Sequence, residues 1–213
     1  TTHNDYCEGV LNVLEVAAEN YEENINEFMK SCSLVDYGTL IHGSTIATNA
    51  ILEGNVDKVG MIVTHGHRDV LLWREGPIKN PFNYQIDYPE PYIPRHLTLP
   101  VRERINSEGN VDLHLNEEDV INAINEFKKN NVGAIAICLL WSIVNNEHEL
   151  KIKSIIEKEW PELQTVVLSS EVNPCIREYR RWVSAAMDAS LRNLVSNYAK
   201  ELNDRLNEKG FVG

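Results

Sequence analysis

The groups best suited to chemistry gather in one short stretch, His42-Gly43-Ser44-Thr45-Ile46-Ala47-Thr48-Asn49-Ala50. It reads as the end of an extended segment turning into a helix. Hydroxyls at a helix start can serve in two ways. They can cap the helix by accepting its free N–H groups. Together with those N–H groups, they can instead face an anion or the negative oxygen that develops on a carbonyl under attack. The residues alone leave both uses open.

Two other places invite chemistry. His65-Gly66-His67 has the His-x-His spacing of metal-dependent cyclic amidohydrolases. No further His is placed to complete three or four ligands, so we expect a turn with two surface imidazoles and no metal. From Ser169 to Arg181 the chain gathers charge, with Arg177 and Arg181 four apart on one helical face and Glu178 between them. That spacing suits salt bridging on a solvated face. Three arginines within Arg177–Arg181 of an acidic protein equally suit a phosphate clamp or a subunit contact. Cys175 lies beside the start of a helix, which would activate a thiol, but no His is paired with it and packing is the simpler role.

Other familiar signatures are missing. There is no Walker A loop, Rossmann glycine triplet, Gly-x-Ser-x-Gly elbow or His-Glu-x-x-His motif. Cys7, Cys32, Cys138 and Cys175 form no Cys-x-x-Cys pair, which fits a reducing cytoplasm.

Composition narrows the classes further. The 213 residues carry 20 Lys+Arg against 32 Asp+Glu, a net charge of −12. That balance argues against nucleic acid as a partner and against anionic membranes. The longest apolar run, Ala134 to Trp141, falls far short of the roughly 18 residues of a spanning helix. The segment Thr1-Thr2-His3-Asn4-Asp5 has no signal-peptide character. A start at Thr without Met, and a stop at Gly213 just after Lys209-Gly210, lead us to expect a piece of a longer chain.

Periodicity supplies the elements that must position these residues. Asn4 or Asp5 is placed to cap a helix with Val10, Leu11, Leu14 and Ala17 or Ala18 on one stripe, followed by an acidic helix near 22–31. An extended run from Leu34 to His42, a helix ending at Glu53-Gly54 and a strand over Lys58–Thr64 predict a parallel pair with a crossover. Residues 76–95 interleave Pro77, Pro81, Pro89, Pro91 and Pro94 with Phe82, Tyr84, Tyr88 and Tyr92, so they cannot be a regular helix. They form either a loop pinned by aromatics or a binding loop. Leu97–Ile105 reads as extended, and 106–110 as a turn. A helix capped by Asn116, with Asp119 in the place of a capping-box Glu, runs to about Asn130. Strands over Val132–Leu140 and Gln164–Leu168 flank a helix capped by Asn145 or Asn146, and a last long helix reaches about Glu208. The expected class is α/β with parallel or mixed sheets and βαβ units, divided into an N-terminal part over 1–105 and a second over 106–213.

The order of motifs resembles a known family. His42-Gly43-Ser44-Thr45-x-Ala47-Thr48-Asn49-Ala50-x-Leu52-Glu53, then Val59-Gly60-x-Ile62-x-Thr64-x-Gly66-x-Arg68-Asp69-Val70, Val101-x-Glu103-Arg104-Ile105, Val132-Gly-Ala-Ile-Ala-Ile137 and Ser170-Glu171-x-x-Pro174-x-x-Arg177-Glu178-Tyr179-x-Arg181 are similar to the N-terminal region of the hydantoinase A/5-oxoprolinase family. That family includes acetone and acetophenone carboxylase subunits. Ser44 stands where the family usually has Thr, and Ser184 and Asp188 occupy positions often Thr and Asn in the hydantoinases. Arg74–Pro77, Asn80-Pro81-Phe82 and Tyr88–Arg95 look more like the ketone carboxylase branch than the ring-opening branch.

The resemblance implies an actin-like (ribonuclease H-like) ATPase architecture, of which this chain would be the N-terminal segment. The glycine- and threonine-rich phosphate motif that relatives carry at their extreme N-terminus is not in the sequence. Implied for the intact protein are ATP and Mg²⁺ and the activation of a small carbonyl substrate by phosphorylation, for lactam hydrolysis or ketone carboxylation. The segment alone would be inactive and hold no cofactor. By the same resemblance, Ser44 and Thr45 are the expected catalytic residues. His42, Gly43, Thr48 and Asn49 would contact the substrate or its oxyanion, and Arg177 and Arg181 would face a phosphate or support the site from behind. Expected partners are other subunits of a hetero-oligomer or a second copy. The alternative is a non-catalytic assembly segment whose loop at 77–95 docks a partner chain.

Overall fold

The computed structural model describes residues 5–33, 40–75, 83, 85 and 87–212. These divide into two compact units, Thr1–Asn55 with Leu194–Gly213, and Val56–Asn193.

The first unit contains helices α1 (Tyr6–Asn20), α2 (Ile25–Cys32) and α3 (Ile46–Glu53), and the part of the final helix, α8 (Glu178–Glu208), from Leu194 onward. Of the two caps considered for α1, Asp5 is the one seen: its carboxylate accepts from the N–H groups of Cys7 at 2.9 Å and Glu8 at 3.0 Å. Arg205 pairs with the same carboxylate at 2.8 Å, and that hydrogen bond is the main reason its pKa lies below the usual range. The apolar stripes close on Cys7, Leu14, Met29, Leu202 and Leu206, all buried. Helix α2 begins later than expected because Asn24 accepts from the N–H of Asn26 and so caps the helix there. Of the strand expected over 34–42, residues 34–39 lie outside the described residues, and 40–45 have no regular structure. Helix α3 stops at Gly54, which takes the left-handed conformation at φ +73°.

The second unit is built on strands β1 (Val59–Thr64), β2 (Thr98–Val101), β5 (Ala134–Cys138) and β6 (Thr165–Leu168), all parallel in the order β2-β1-β5-β6. A small antiparallel ribbon of β3 (Arg104–Ile105) and β4 (Val111–Leu113) stands apart from that sheet. Both edges of β1 are taken, by β2 and β5. The same pairing overturns the break expected near residue 105, since β1 and β5 lie on either side of it in one sheet.

Every residue of β1 and β5 is buried, as near-continuous apolar strands covered on both faces should be. Helices α5 (Glu117–Lys129) and α6 (Glu147–Glu159) add Val120, Ile124, Phe127, Ile152 and Ile156 to the core, and α8 adds Trp182, Ala185, Ala186 and Ala189. At Gly60 an added Cβ would come 2.7 Å from the Phe127 ring, so glycine is required there by close approach. Asn116 caps α5 as expected, accepting from the Asp119 N–H at 3.0 Å. The other arm of the capping box is not made, because the Asp119 carboxylate accepts from the backbone and guanidinium of Arg102.

Short helices α4 (Val70–Trp73) and α7 (Ser169–Val172) follow β1 and β6. The Pro/Tyr segment lies partly outside the described residues, at 76–82, 84 and 86. In its described part the Tyr92 hydroxyl is 2.7 Å from that of Ser190, and Ile93 is buried. Among the described residues no helix is long and apolar enough to cross a membrane.

Candidate functional site

In the first unit the loop before α3 lines an open pocket of about 560 Å³, of a size that takes a small ligand. His42, Gly43, Ser44, Thr45 and Asn49 are on its wall; Thr48 is exposed but does not line it. Thr45 stands at the N-cap of α3 without making a side-chain cap, while Ser44 Oγ accepts from the Ile46 N–H at 3.2 Å. The cap is therefore supplied by Ser44, and Thr45 Oγ1 is left with a long 3.5 Å contact from Asn49 Nδ2. The wall also carries apolar side chains, among them Val10, Val13, Leu14 and Leu40. Among the described residues no Lys or Arg lines this pocket.

Tyr198 on α8, a residue the sequence analysis did not assign to the site, adds a phenol to the wall. Its hydroxyl is 2.6 Å from His42 Nε2 and also meets the Ser44 hydroxyl. Burial pushes the Tyr198 phenol up, with the Ser44 hydroxyl pulling the other way. The phenol thus stays protonated at neutral pH and able to donate.

In the second unit the charged segment divides sharply. Arg181 is fully buried, donating from Nη2 to the Leu139 carbonyl at 2.9 Å and from Nη1 to that of Cys175 at 2.7 Å. It does not join a salt-bridged solvated face. Arg180 pairs with Glu75, and Arg177 is exposed. Beside Arg181 the buried Glu149 accepts from Leu139 N, Ser169 Oγ, Ser170 N and Ser170 Oγ at 2.6–3.1 Å. A second buried carboxylate, Glu103, accepts from Thr64 Oγ1 and lies 2.8 Å from His148 Nδ1. This network joins the carboxyl ends of β1, β5 and β6 and holds the Leu139–Ser142 turn, where Trp141 takes φ +55°. One signal for it was present in the sequence: Glu149 stands on the same helical stripe as Ile152 and Ile156.

His65 and His67 are not part of any three-residue ligand cluster among the described residues; the group that is, Asp5 with Cys7 and Glu201, has its Asp5 engaged as a cap and by Arg205. Cys175 is half-buried with Sγ 3.6 Å from the Arg177 carbonyl, while burial raises the Cys138 thiol well above its ordinary value.

Comparison with known proteins places these features. The model of the hydantoinase/oxoprolinase N-terminal region matches residues 1–160. The acetophenone carboxylase gamma subunit of Aromatoleum aromaticum is 32% identical, over 100% of this chain and 30% of that protein. Caprolactamase subunit alpha of Pseudomonas jessenii is 31% identical, over 99% of this chain and 30% of that protein. The crystal structure of the ATP-dependent caprolactamase from Pseudomonas jessenii superposes with a TM-score of 0.84, covering 99% of this chain and 30% of that one. A nucleotide-free acetone carboxylase structure superposes at 0.82 with 21% identity, over 99% of this chain and 30% of that one, which is a likeness of fold. The chain thus spans about 30% of the length of the relatives it matches. Matched over most of its length by the family model, the chain belongs to the hydantoinase/oxoprolinase family, in its N-terminal region.

Proposed function

We propose that this chain is the substrate-side N-terminal segment of an ATP-dependent enzyme that activates a carbonyl compound by phosphorylation, for lactam ring opening or ketone carboxylation. The observation that carries the reading is the mixed lining of the 560 Å³ pocket. Hydroxyls of Ser44 and Thr45, the Asn49 carboxamide and the Tyr198 phenol share its wall with the aliphatic side chains of Val10, Val13, Leu14 and Leu40. A small ketone or lactam matches that mixture, with its oxygen toward the donors and its carbon skeleton on Val10, Val13 and Leu40. Donors aimed at the oxygen stabilise negative charge as it grows there, and each is worth roughly 10²–10³ in rate.

The pocket does not suit a nucleotide. With no Lys or Arg on its wall among the described residues, nothing there balances a triphosphate, so ATP and Mg²⁺ belong, in this reading, to other parts of the full-length protein. Arg181, locked among carbonyls, supports the second unit from within, and Arg177 is the arginine of the pair able to meet an anion. Identities of 32% and 31% to a ketone carboxylase subunit and a lactamase subunit do not separate the two reactions. The residues at 74–77 and 88–95 lean toward the carboxylase branch. Because both relatives are named as subunits, we further propose a partner subunit or a second copy in the working assembly.

The test is Ser44→Ala with Thr45→Ala in the full-length protein. Substrate-dependent ATP hydrolysis should fall at least 10²-fold with the melting temperature unchanged, and wild-type turnover would remove the site from the loop. Supplying a lactam, or a ketone with bicarbonate, separates the two reactions.

A further inference from the structure

The second unit holds a pocket of its own, about 430 Å³, beside the carboxyl end of β1. Its position is set by topology. From β1 the chain runs outward to β2 and then returns past β1 to β5, so the strand order reverses at β1. Open parallel sheets leave a crevice for ligands outside the carboxyl ends of strands at such a reversal.

The charges on its wall do not cancel. Asp69 is paired with Arg95 at 2.6 Å, and Glu75 with Arg180. These guanidiniums, through their hydrogen bonds first, hold both carboxyls below the usual range, and Arg177 adds a weaker pull on Glu75. With those two acids neutralised, Glu178 is the one acid set against Arg74 and Arg177 among the described residues of this wall. Among them one positive charge is left over, in a chain whose net charge is −12. Among the described residues neither arginine is in an ion pair within 4.0 Å. Arg74 is also held at φ +58°, ψ −139°, a backbone conformation that side-chain-bearing residues seldom adopt. Next to it Trp73 is 57% exposed, its ring packed edge-on against Tyr88 at 5.2 Å between centroids, and Tyr179 adds a second aromatic side chain to the wall.

We propose that this pocket binds a small organic monocarboxylate, its carboxylate met by Arg74 and Arg177 and its apolar body resting on Trp73 and Tyr179. Guanidinium forks match a carboxylate in geometry, and aromatic faces take a flat skeleton. A single surplus charge fits one carboxylate and not a triphosphate with about four negative charges. The inference shares Arg177 with the reading above and is independent of the loop at 42–49.

Benzoate is a suitable probe, titrated calorimetrically into the full-length protein, with inorganic phosphate and Mg²⁺-ATP as competitors. Saturable one-to-one binding is expected, weakened at least tenfold by Arg177→Gln and by Trp73→Ala, both exposed positions whose melting temperatures serve as the folding check. Phosphate at the same concentration should not displace it. The Ser44→Ala/Thr45→Ala variant should bind benzoate as the wild type does, so failure of the loop reading leaves this result standing. Absence of saturable binding, equal affinity in Arg177→Gln, displacement by phosphate or ATP, or loss of binding in the Ser44/Thr45 variant would each overturn the proposal.

Discussion

His42 Nε2 and Tyr198 Oη, 156 residues apart in the chain, stand 2.6 Å from one another. The contact fastens the loop ahead of α3 to the C-terminal half of α8 within the first unit, and the Ser44 hydroxyl shares the same phenol. Tyr6 supports the ring from the side, edge-on at 6.3 Å between centroids. Tyr198→Phe keeps this packing and removes the hydroxyl alone. Turnover of the full-length protein should fall about tenfold while stability drops by about 1 kcal/mol, the usual net worth of one hydrogen bond. Equal turnover with lowered stability would make Tyr198 a purely structural residue.

Glu149 answers four donors inside the second unit. In Glu149→Ala, Leu139 N, Ser169 Oγ and both donors of Ser170 lose their acceptor, and the buried Arg181 loses its nearby counter-charge. Breaking a buried charged network in this way costs about 3–5 kcal/mol. Urea unfolding is the measurement, and a loss under about 1 kcal/mol would show that the network contributes little to stability.

Gly60→Ala brings a methyl group to within 2.7 Å of the Phe127 ring, which is fully buried, so something must shift. Overpacking of this kind destabilises by about 1–3 kcal/mol. The double variant with Phe127→Leu should recover part of the Gly60→Ala loss, and strictly additive effects in the cycle would contradict the close approach.

Asp119 is held below the ordinary carboxylate range chiefly by its hydrogen bond from Arg102. A carboxyl lowered in the folded state stabilises above its unfolded value of about 3.9, and that contribution disappears as pH falls through the folded value. Asp119→Asn should therefore be less stable than the wild type at pH 7, and the gap should close as the pH is lowered into and below the ordinary carboxylate range. The gap should stay below about 1 kcal/mol, because the Arg102 side chain is 56% exposed. Unfolding curves that remain parallel across pH would refute the assignment.

Much of the architecture could be read without coordinates, because local rules decided it. The caps at Asp5 and Asn116, the buried strands over 59–64 and 134–138, and the long last helix all follow from side-chain periodicity and N–H satisfaction. Where the reading failed, a distant partner made the decision. The break near residue 105 disappears because β1 pairs with β5, and Asp119 abandons the capping box because Arg102 reaches it.

The candidate site divides in the same way. The sequence by itself determined that Ser44, Thr45 and Asn49 would cluster near a helix start and that the chain carries the family's motifs, since both are properties of neighbouring residues. Only the tertiary structure decided that apolar side chains of α1 and the Tyr198 phenol line one pocket with those hydroxyls, that Arg181 is buried while Arg177 is exposed, and that Glu149 and Glu103 answer donors from separate strand ends. The reason is physical: burial and hydrogen-bond pairing belong to groups far apart in sequence, and no local pattern states which of them will meet.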